Sequence, residues 1–188
     1  MSKYFKELGA YIIDYDLISK MVVEPGLPAW QDIVNYFGKE ILREDQNLDR
    51  AKLGAIVFND EEKRKKLEFF VHSRMAEEIQ NQQMTVIEAN PAAVIVHDVP
   101  LLFETGIDKV MKKNIVVYAN EENQIKRLMQ RDGLSEVDIR SRIRAQMPLA
   151  EKMKRADYII DNNGSMEEMN QQVRELYQEL SALARAKK

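Results

Sequence analysis

The chain has 188 residues, 45% of them apolar and 31% charged, which suits one globular domain and excludes disorder as the dominant state. Its net charge of −3 implies no general attraction to nucleic acid or anionic membranes, and the lack of cysteine excludes disulfides, cysteine zinc sites and thiol nucleophiles. Because the apolar runs are short and residues 1–20 carry scattered charges, we expect neither a membrane span nor a secretory leader, and a cytoplasmic protein.

Four apolar runs, rich in β-branched and aromatic residues, are typical of buried β-strands. They cover residues 10–13, 92–97, 114–119 and 158–160. A helical segment over residues 3–9 precedes the first strand, and Gly9 would end it. Because helical segments separate nearly continuous apolar strands, the pattern predicts an α/β fold with a parallel sheet covered on both faces.

Most of the remaining chain predicts helices. Residues 16–83 are expected to be helical with breaks, and to include helices over 28–38 and 60–83. Two further helices are predicted after the third strand, over 121–131 and 136–147.

Capping patterns mark the start of the last two predicted helices. Ser135 can cap the helix at 136–147, and Ser165 with Glu168 forms a capping-box pattern after the turn Asn163-Gly164. The final helix carries an apolar stripe, which is more often part of a core than of a cofactor site. The stripe consists of Met166, Met169, Val173, Leu176, Leu180 and Leu183.

Acidic residues follow two of the predicted strands. Asp14 and Asp16 come directly after the strand at 10–13, and Asp98 follows the strand at 92–97. Ligands of open α/β sheets bind at the carboxyl ends of strands, where a carboxylate can hold Mg²⁺ through water or orient an attacking hydroxyl. The alternative is that Asp16 caps the next helix, and that Asp98 is likewise a cap. The spacing favours neither interpretation over the other.

Residues 126–155 are locally basic in an otherwise acidic chain. Nine basic residues stand against four acidic ones, a local balance of +5. Arg127 and Arg131 are four residues apart, as are Arg140 and Arg144, so each pair would lie on one helical face. Guanidinium groups that converge from two short helices suit a polyphosphate, and the alternative is a solvated basic face.

Several other chemical signatures are missing. The two histidines, His72 and His97, are too few and too scattered for a metal site, and core packing is the default for His97. We therefore assign no residue as a metal ligand. The glycines are spread out, and no GxxxxGK(S/T) phosphate loop occurs among the 188 residues.

A set of sequence blocks, in order and covering nearly the whole chain, resembles the dephospho-coenzyme A kinase family. The blocks are Ile13-Asp14-Tyr15-Asp16, Val22-Val23-Glu24-Pro25-Gly26, Leu48-Asp49-Arg50, Val99-Pro100-Leu101-Leu102-Phe103-Glu104, residues 124–132, Ala145-Gln146-Met147-Pro148 and residues 156–164. The resemblance implies a P-loop kinase with a three-layer α/β/α parallel sheet. It also implies transfer of the γ-phosphoryl of ATP, with Mg²⁺, to the ribose 3′-hydroxyl of dephospho-coenzyme A, the last step of coenzyme A synthesis.

The resemblance also implies the organisation of the site within a single kinase domain over 1–188. A helical lobe at 17–83 would hold the coenzyme A substrate, and a helical lid would lie at 120–155. The implied catalytic residues are Asp16, which would orient or deprotonate the hydroxyl, and the lid arginines Arg127 and Arg131. The implied substrate-binding residues are Glu24, Pro25, Arg50, Pro100 and Leu101, and the implied nucleotide-binding residues are Arg140, Arg144, Asn162, Asn163 and Gly164.

The chain departs from the family pattern at its start. The family begins with a strand and a glycine-rich loop that ends Gly-Lys-Ser/Thr, whereas this chain begins inside the following helix, at Met1-Ser2-Lys3-Tyr4. We therefore expect an amino terminus shortened by, for example, a mis-assigned start codon, and impaired activity. The alternatives are a non-catalytic coenzyme A-binding or regulatory module and another nucleotide kinase of the same fold, although the Val22–Gly26 block argues against the latter.

The missing strand would lie in the middle of the family's sheet, between the strands at 92–97 and 114–119. Unpaired buried backbone groups cost about 1–3 kcal/mol each, so an open slot is unfavourable. We expect these two strands to pair directly, or a partner chain to donate a strand, and self-association through exposed strand edges is a possible outcome.

Overall fold

A computed structural model describes residues 1–186. The chain divides into two compact units, one spanning Tyr11–Val99 and the other combining Met1–Ala10 with the chain from Pro100 onward. Among the described residues, no helix combines the length and the apolar character that a membrane crossing requires.

Strands and helices alternate along the chain. The strands are β1 (Tyr11–Asp14), β2 (Ile95–Asp98), β3 (Ile115–Tyr118) and β4 (Tyr158–Asp161). The helices are α1 (Ser2–Glu7), α2 (Tyr15–Met21), α3 (Pro28–Phe37), α4 (Arg50–Phe58), α5 (Glu61–Ala89), α6 (Glu121–Asp132), α7 (Glu136–Arg144), α8 (Leu149–Arg155) and α9 (Met166–Arg185). Short 3₁₀ turns occur at Lys39–Ile41 and Ile107–Lys109.

The unit Tyr11–Val99 contains a parallel strand pair and four helices. β1 pairs with β2 in a register that runs from Tyr11 opposite Ile95 to Asp14 opposite Asp98. Ile13 of β1 is fully buried, and it packs with Ile18 and Val22 of the following segment. Since α5 contacts β1 and the helices α2, α3 and α4, this long helix is the common support of the unit.

The other unit is built around a second parallel pair, β3 with β4, in which Val116 lies opposite Ile159. The terminal helices pack together beside it, where Arg174 of α9 donates a hydrogen bond to the Tyr4 hydroxyl at 2.8 Å. Gly9 follows α1 at φ +106°, a conformation that strongly favours glycine, so the predicted stop of the first helix is confirmed.

The α/β class and the four predicted strands are confirmed, with ends that shift by at most three residues. The β2 strand starts at Ile95 because Asn90 accepts hydrogen bonds from the N–H groups of Ala92 and Ala93 and holds them in a turn. The Ser135 cap and the capping box of Ser165 and Glu168 are also confirmed.

Three helix predictions need correction. The helix predicted to end at 83 continues to Ala89, because no helix-breaking residue occurs before Asn90-Pro91. The helix predicted over 136–147 ends at Arg144, and a separate helix, α8, follows Pro148. In α9 the ends of the predicted core stripe are exposed, Met166 by 67% and Leu183 by 44%, so the core contribution is centred on Val173.

The predicted direct pairing of the strands at 92–97 and 114–119 is wrong. In the part of the chain that the structure describes, the ladder of β2 involves β1, and the ladder of β3 involves β4. Each of the two strands already pairs along one edge with a strand of its own unit, so the backbone groups on that edge are satisfied without the predicted partner. The donation of a strand by a partner chain stays a prediction.

Candidate active site

Acidic residues meet at the carboxyl end of the β1–β2 pair. Asp14 and Asp98 are the last register partners of the parallel ladder, so their backbones are neighbours at about 5 Å. The Asp14 side chain accepts a hydrogen bond from the Leu17 N–H at 2.9 Å and caps α2. The alternative in which Asp16 is the cap is therefore wrong.

Asp16 lies in the first turn of α2, and its side chain is exposed. Its backbone carbonyl accepts a hydrogen bond from the Ser19 hydroxyl, but within residues 1–186 neither a hydrogen bond nor an ion pair engages its carboxylate. The carboxylate is therefore available to a substrate hydroxyl.

A tyrosine–histidine pair fastens the start of α2 to β2. The Tyr15 hydroxyl lies 3.3 Å from Nδ1 of His97, and the two rings meet edge to face with centroids 5.9 Å apart. Burial lowers the pKa of the His97 imidazole and raises the pKa of the Tyr15 hydroxyl. Both groups are therefore neutral near pH 7, and the pair holds the residue that precedes Asp16. This contact gives His97 the packing role that its strand position suggested.

The predicted substrate-binding residues of the unit Tyr11–Val99 lie on exposed turns and a helix start. Glu24 and Pro25 occupy the turn between α2 and α3, where the Leu27 N–H donates to the Glu24 carbonyl at 3.1 Å. Arg50 is the first residue of α4 and is exposed. Pro100 and Leu101, the other two predicted residues, are exposed at the beginning of the segment that follows β2.

The predicted lid arginines lie on α6. A groove between α6 and α7 is lined on the α6 side by Glu121, Glu122, Ile125, Lys126, Met129 and Gln130. With 100° per residue, Arg127 and Arg131 lie on the opposite side of the helix from this groove. Both are exposed, and in the described residues Arg127 has no ion pair, whereas Arg131 binds the Asp132 carboxylate through Nε at 2.7 Å and Nη2 at 2.9 Å.

The two other predicted lid arginines differ from each other. Arg140 of α7 lies in the groove, where it binds Glu136 at 2.8 Å and also Glu121, so it holds the two helices together. Arg144, at the end of α7, is exposed and has no ion pair in the described part of the chain. The spacing of four residues placed them on one helix but did not predict these separate partners.

The segment 162–164 connects β4 with the start of α6. The Asn163 side chain accepts from the Asn120 N–H at 2.8 Å and from the Asn123 amide at 3.1 Å, and it donates to Asp161 at 2.6 Å. The Asn162 N–H donates to the Tyr118 carbonyl at 2.7 Å, and Gly164 is exposed. The Asn163 amide thus orders the first turn of α6, where Asn120 is also the helix cap.

No group of three or more histidine, aspartate or glutamate side chains with metal-binding geometry occurs in residues 1–186. Mg²⁺ in kinases is held by one or two carboxylates together with substrate phosphates, so a complete protein cage is not required. Asp14 and Asp98 provide two carboxylates on adjacent strand ends.

A model of the dephospho-CoA kinase family matches residues 1–168 of this chain. The chain belongs to the dephospho-CoA kinase family. It is 44% identical to the dephospho-CoA kinase of Geobacillus kaustophilus over 183 residues, which cover 97% of this chain and 90% of the relative. A dephospho-CoA kinase of Arabidopsis thaliana is also 44% identical, over 92% of this chain and 74% of that protein.

Two solved structures have the same fold. The dephospho-CoA kinase from Campylobacter jejuni is 32% identical and superposes with a TM-score of 0.68, covering 96% of this chain and 92% of that one. TT1252 from Thermus thermophilus is 30% identical with a TM-score of 0.76, over 95% and 88% of the two chains. The P-loop kinase fold is therefore confirmed, and so is the assignment to ATP-dependent phosphorylation of dephospho-CoA in coenzyme A biosynthesis.

Proposed function

We propose that the Asp16 carboxylate accepts the proton of the ribose 3′-hydroxyl of dephospho-CoA while that oxygen attacks the γ-phosphorus of ATP. The bond from the γ-phosphorus to the β–γ bridging oxygen breaks, ADP leaves, and the 3′-phosphate of coenzyme A is formed. One observation carries this assignment: Asp14 caps α2, which leaves the Asp16 carboxylate at the end of β1 without a partner in the described residues. A base must reach the proton that it removes, and an uncommitted carboxylate can do so.

Arg127 and Arg131 are proposed to stabilise the transferring phosphoryl group. They share the face of α6 that is directed away from the α6–α7 groove, so α7 does not cover them. Arg127 has no ion pair within residues 1–186, and Arg131 would exchange the Asp132 carboxylate for phosphate oxygens. Arg140 binds Glu121 and Glu136, so we propose that it shapes the lid, while Arg144 remains available to nucleotide.

The residues proposed to contact dephospho-CoA are chosen because they are exposed, and those proposed for ATP lie at the end of β4. Glu24, Pro25 and Arg50 are proposed to bind dephospho-CoA, because turns and helix starts offer backbone and side-chain groups that are free for a ligand. Pro100 and Leu101 are proposed to contact the same substrate. For ATP, we propose contacts to Asn162, Asn163 and Gly164 at the end of β4, with the Asn163 amide acting mainly by ordering α6.

Mg²⁺ is proposed as the ion that accompanies ATP. The Asp14 and Asp98 carboxylates fit such an ion, because hard oxygen ligands at adjacent strand ends match its preference and leave positions for phosphates and water. One oxygen of Asp14 caps α2, so its second oxygen would face the ion. When bound, Mg²⁺ neutralises negative charge on the β- and γ-phosphates.

We further propose that the 188 residues transfer phosphate slowly by themselves, because none of them forms a GxxxxGK(S/T) loop. A second candidate, a coenzyme A-binding module without turnover, is favoured by the same observation. Incubation of the chain with ATP and dephospho-CoA, followed by mass spectrometry, separates the two. Product that carries one additional phosphate at the 3′ position supports the kinase, and tight binding of dephospho-CoA with no product supports the binding module.

Replacement of Asp16 by Asn is expected to lower kcat by about 100-fold, the lower range for loss of a general base. The test uses an extended chain, meaning the 188 residues preceded by a β-strand and a GxxxxGK(S/T) loop, so that the decrease can be measured. The KM for dephospho-CoA should change less than threefold, because the amide keeps the size of the carboxylate and one of its acceptor oxygens. ADP release coupled to NADH oxidation provides the rate.

The matched control is Glu62→Gln. Glu62 is an exposed acid in the first turn of α5, so its replacement removes the same charge from the start of a helix of the same unit. We expect an unchanged kcat for this variant. An Asp16→Asn enzyme that keeps kcat within threefold of its parent would eliminate Asp16 as the base.

A further inference from the structure

Two ion pairs join α8 to the segment that follows β2. Lys152 Nζ lies 2.7 Å from the Glu104 carboxylate, and Arg155 binds the Asp108 carboxylate. The two cations are three residues apart on α8, and the two acids are four apart on the segment. Residues three apart lie on the same face of a helix, so both cations can reach the acids of the segment. We call these four residues the α8 latch.

The Glu104 side chain has a second partner besides Lys152. Its Oε1 also accepts a hydrogen bond from the backbone N–H of Met147 at 2.9 Å. The side chains of Glu104 and Lys152 are only 21% and 12% exposed. Burial raises the pKa of the Glu104 carboxyl, but hydrogen bonds from Lys152 and from the Met147 N–H outweigh it, so the pKa lies below its ordinary value. Glu104 is therefore ionised at neutral pH.

The acid of the second ion pair is buried further than Glu104. The Asp108 side chain is 8% exposed, and Phe103 underlies the Arg155 guanidinium at 5.1 Å from the ring centroid. The Asp108 carbonyl accepts from the Asn114 side-chain amide at 3.1 Å. Buried ion pairs add little net stability because desolvation offsets their attraction, but they fix geometry when the partners are well placed.

The latch fixes the position of one end of the lid, the α6–α7 hairpin. Met147 lies in the connection that leads from α7 to α8, so the bond from its N–H to Glu104 anchors the carboxyl-terminal end of the α6–α7 hairpin. The other end of the hairpin is anchored where Asn163 binds Asn120 and Asn123. The hairpin itself is held together by Arg140, which binds an acid on each of the two helices.

We propose that Glu104 is a positioning residue for the lid: through Lys152 and the Met147 N–H it sets where the α6–α7 hairpin carries its arginines. The inference rests on the proposed function, because it takes α6 and α7 to be the lid that closes on ATP. Glu104 itself touches no reacting atom. A displacement of about 1 Å in a positioned group can cost up to about 100-fold in rate, so a loose anchor would be costly for transfer.

The first measurement is amide hydrogen exchange of the 188-residue chain. Glu104→Ala is expected to speed exchange of the Met147 amide at least tenfold, with faster exchange over 133–147 and unchanged exchange in β3 and β4. Glu104→Gln should show a smaller increase, because its side-chain carbonyl still accepts from the Met147 N–H. The matched control is Glu151→Gln, which breaks the exposed ion pair with Lys154 on the same helix and should leave Met147 unchanged.

The second measurement is phosphate transfer from ³²P-labelled ATP in single turnovers with excess 188-residue chain. Glu104→Ala should lower the transfer rate about tenfold, with Glu104→Gln intermediate, while the dephospho-CoA concentration for half-saturation stays within twofold. If exchange at Met147 is unchanged, Glu104 does not anchor this connection and the inference is wrong. If exchange is faster but the transfer rate is unchanged, Glu104 makes a packing contact and has no positioning role. A global rise in exchange in both Glu104 variants also contradicts the inference. If the parent chain forms no labelled product, the proposed function fails and the positioning role falls with it, while Met147 exchange still reports on the anchor.

Discussion

A β-strand and a GxxxxGK(S/T) loop placed ahead of Met1 are expected to raise kcat by about four orders of magnitude over the 188 residues alone. In P-loop kinases the backbone N–H groups and the lysine of such a loop hold the β- and γ-phosphates, and its hydroxyl binds Mg²⁺. Loss of several charge-assisted hydrogen bonds to the transferring phosphate would cost about 5 kcal/mol in the transition state, which corresponds to this factor. Release of ADP at saturating ATP and dephospho-CoA provides both rates.

The control for this comparison is an extended chain whose loop lysine is replaced by methionine. It keeps the added strand and the glycine turn, so it separates the effect of the added strand from that of phosphate binding by the lysine. We expect the kcat of this control to be far closer to that of the 188-residue chain than to that of the extended parent. Turnover of about 1 s⁻¹ or faster by the 188 residues alone, an ordinary kinase rate, would show that the loop is dispensable.

The strands were predictable because their signal is local. Residues 115–118 and 158–160 are apolar, rich in β-branched residues and bounded by polar residues, which is the local pattern of a buried strand. Helix ends were less predictable. The predicted end of α5 at 83 is too early, since no helix-breaking residue occurs before Asn90 and the proline that follows it.

Helix α8 is absent from the predicted elements, and the tertiary contacts that fix it are remote in sequence. Arg155 meets an acid 47 residues away, and Met147 meets one 43 residues away. Periodicity reports which face of a helix is apolar, but it contains no information on which distant carboxylate a lysine or arginine will reach.

Within the site, the sequence identifies the acidic residues but not the separate role of each. Asp14 and Asp16 both follow the strand, and either could have capped α2. The backbone decides between them, because Asp14 has the extended conformation of a cap at φ −94° and ψ 110°, while Asp16 is already inside the helix. The structure also shows that members of the predicted basic cluster occupy different places. Arg140 lies in the α6–α7 groove, and Arg127 lies on the other face of α6.

Replacement of Arg131 by Ala is expected to lower kcat of the extended chain by about 10³-fold, the lower range for an arginine that stabilises the phosphoryl transition state. Two of its guanidinium nitrogens bind Asp132, which shows that the side chain can present a bidentate fork to an anion. The same fork would bind phosphate oxygens once ATP is present. Steady-state kinetics should show a KM for dephospho-CoA within twofold of the parent, because the acceptor is bound elsewhere.

Lys126→Ala is the matched control for this variant. Lys126 is an exposed cation on the same helix, but it lines the α6–α7 groove, on the face opposite to Arg131. Its removal changes the net charge of the lid equally, so a loss of general electrostatic attraction for ATP would affect both variants. We expect kcat to stay within twofold for Lys126→Ala. A kcat of Arg131→Ala within twofold of the parent would show that Arg131 is part of a solvated basic face. A guanidinium that contacts the transferring phosphate cannot be removed without a large loss of rate.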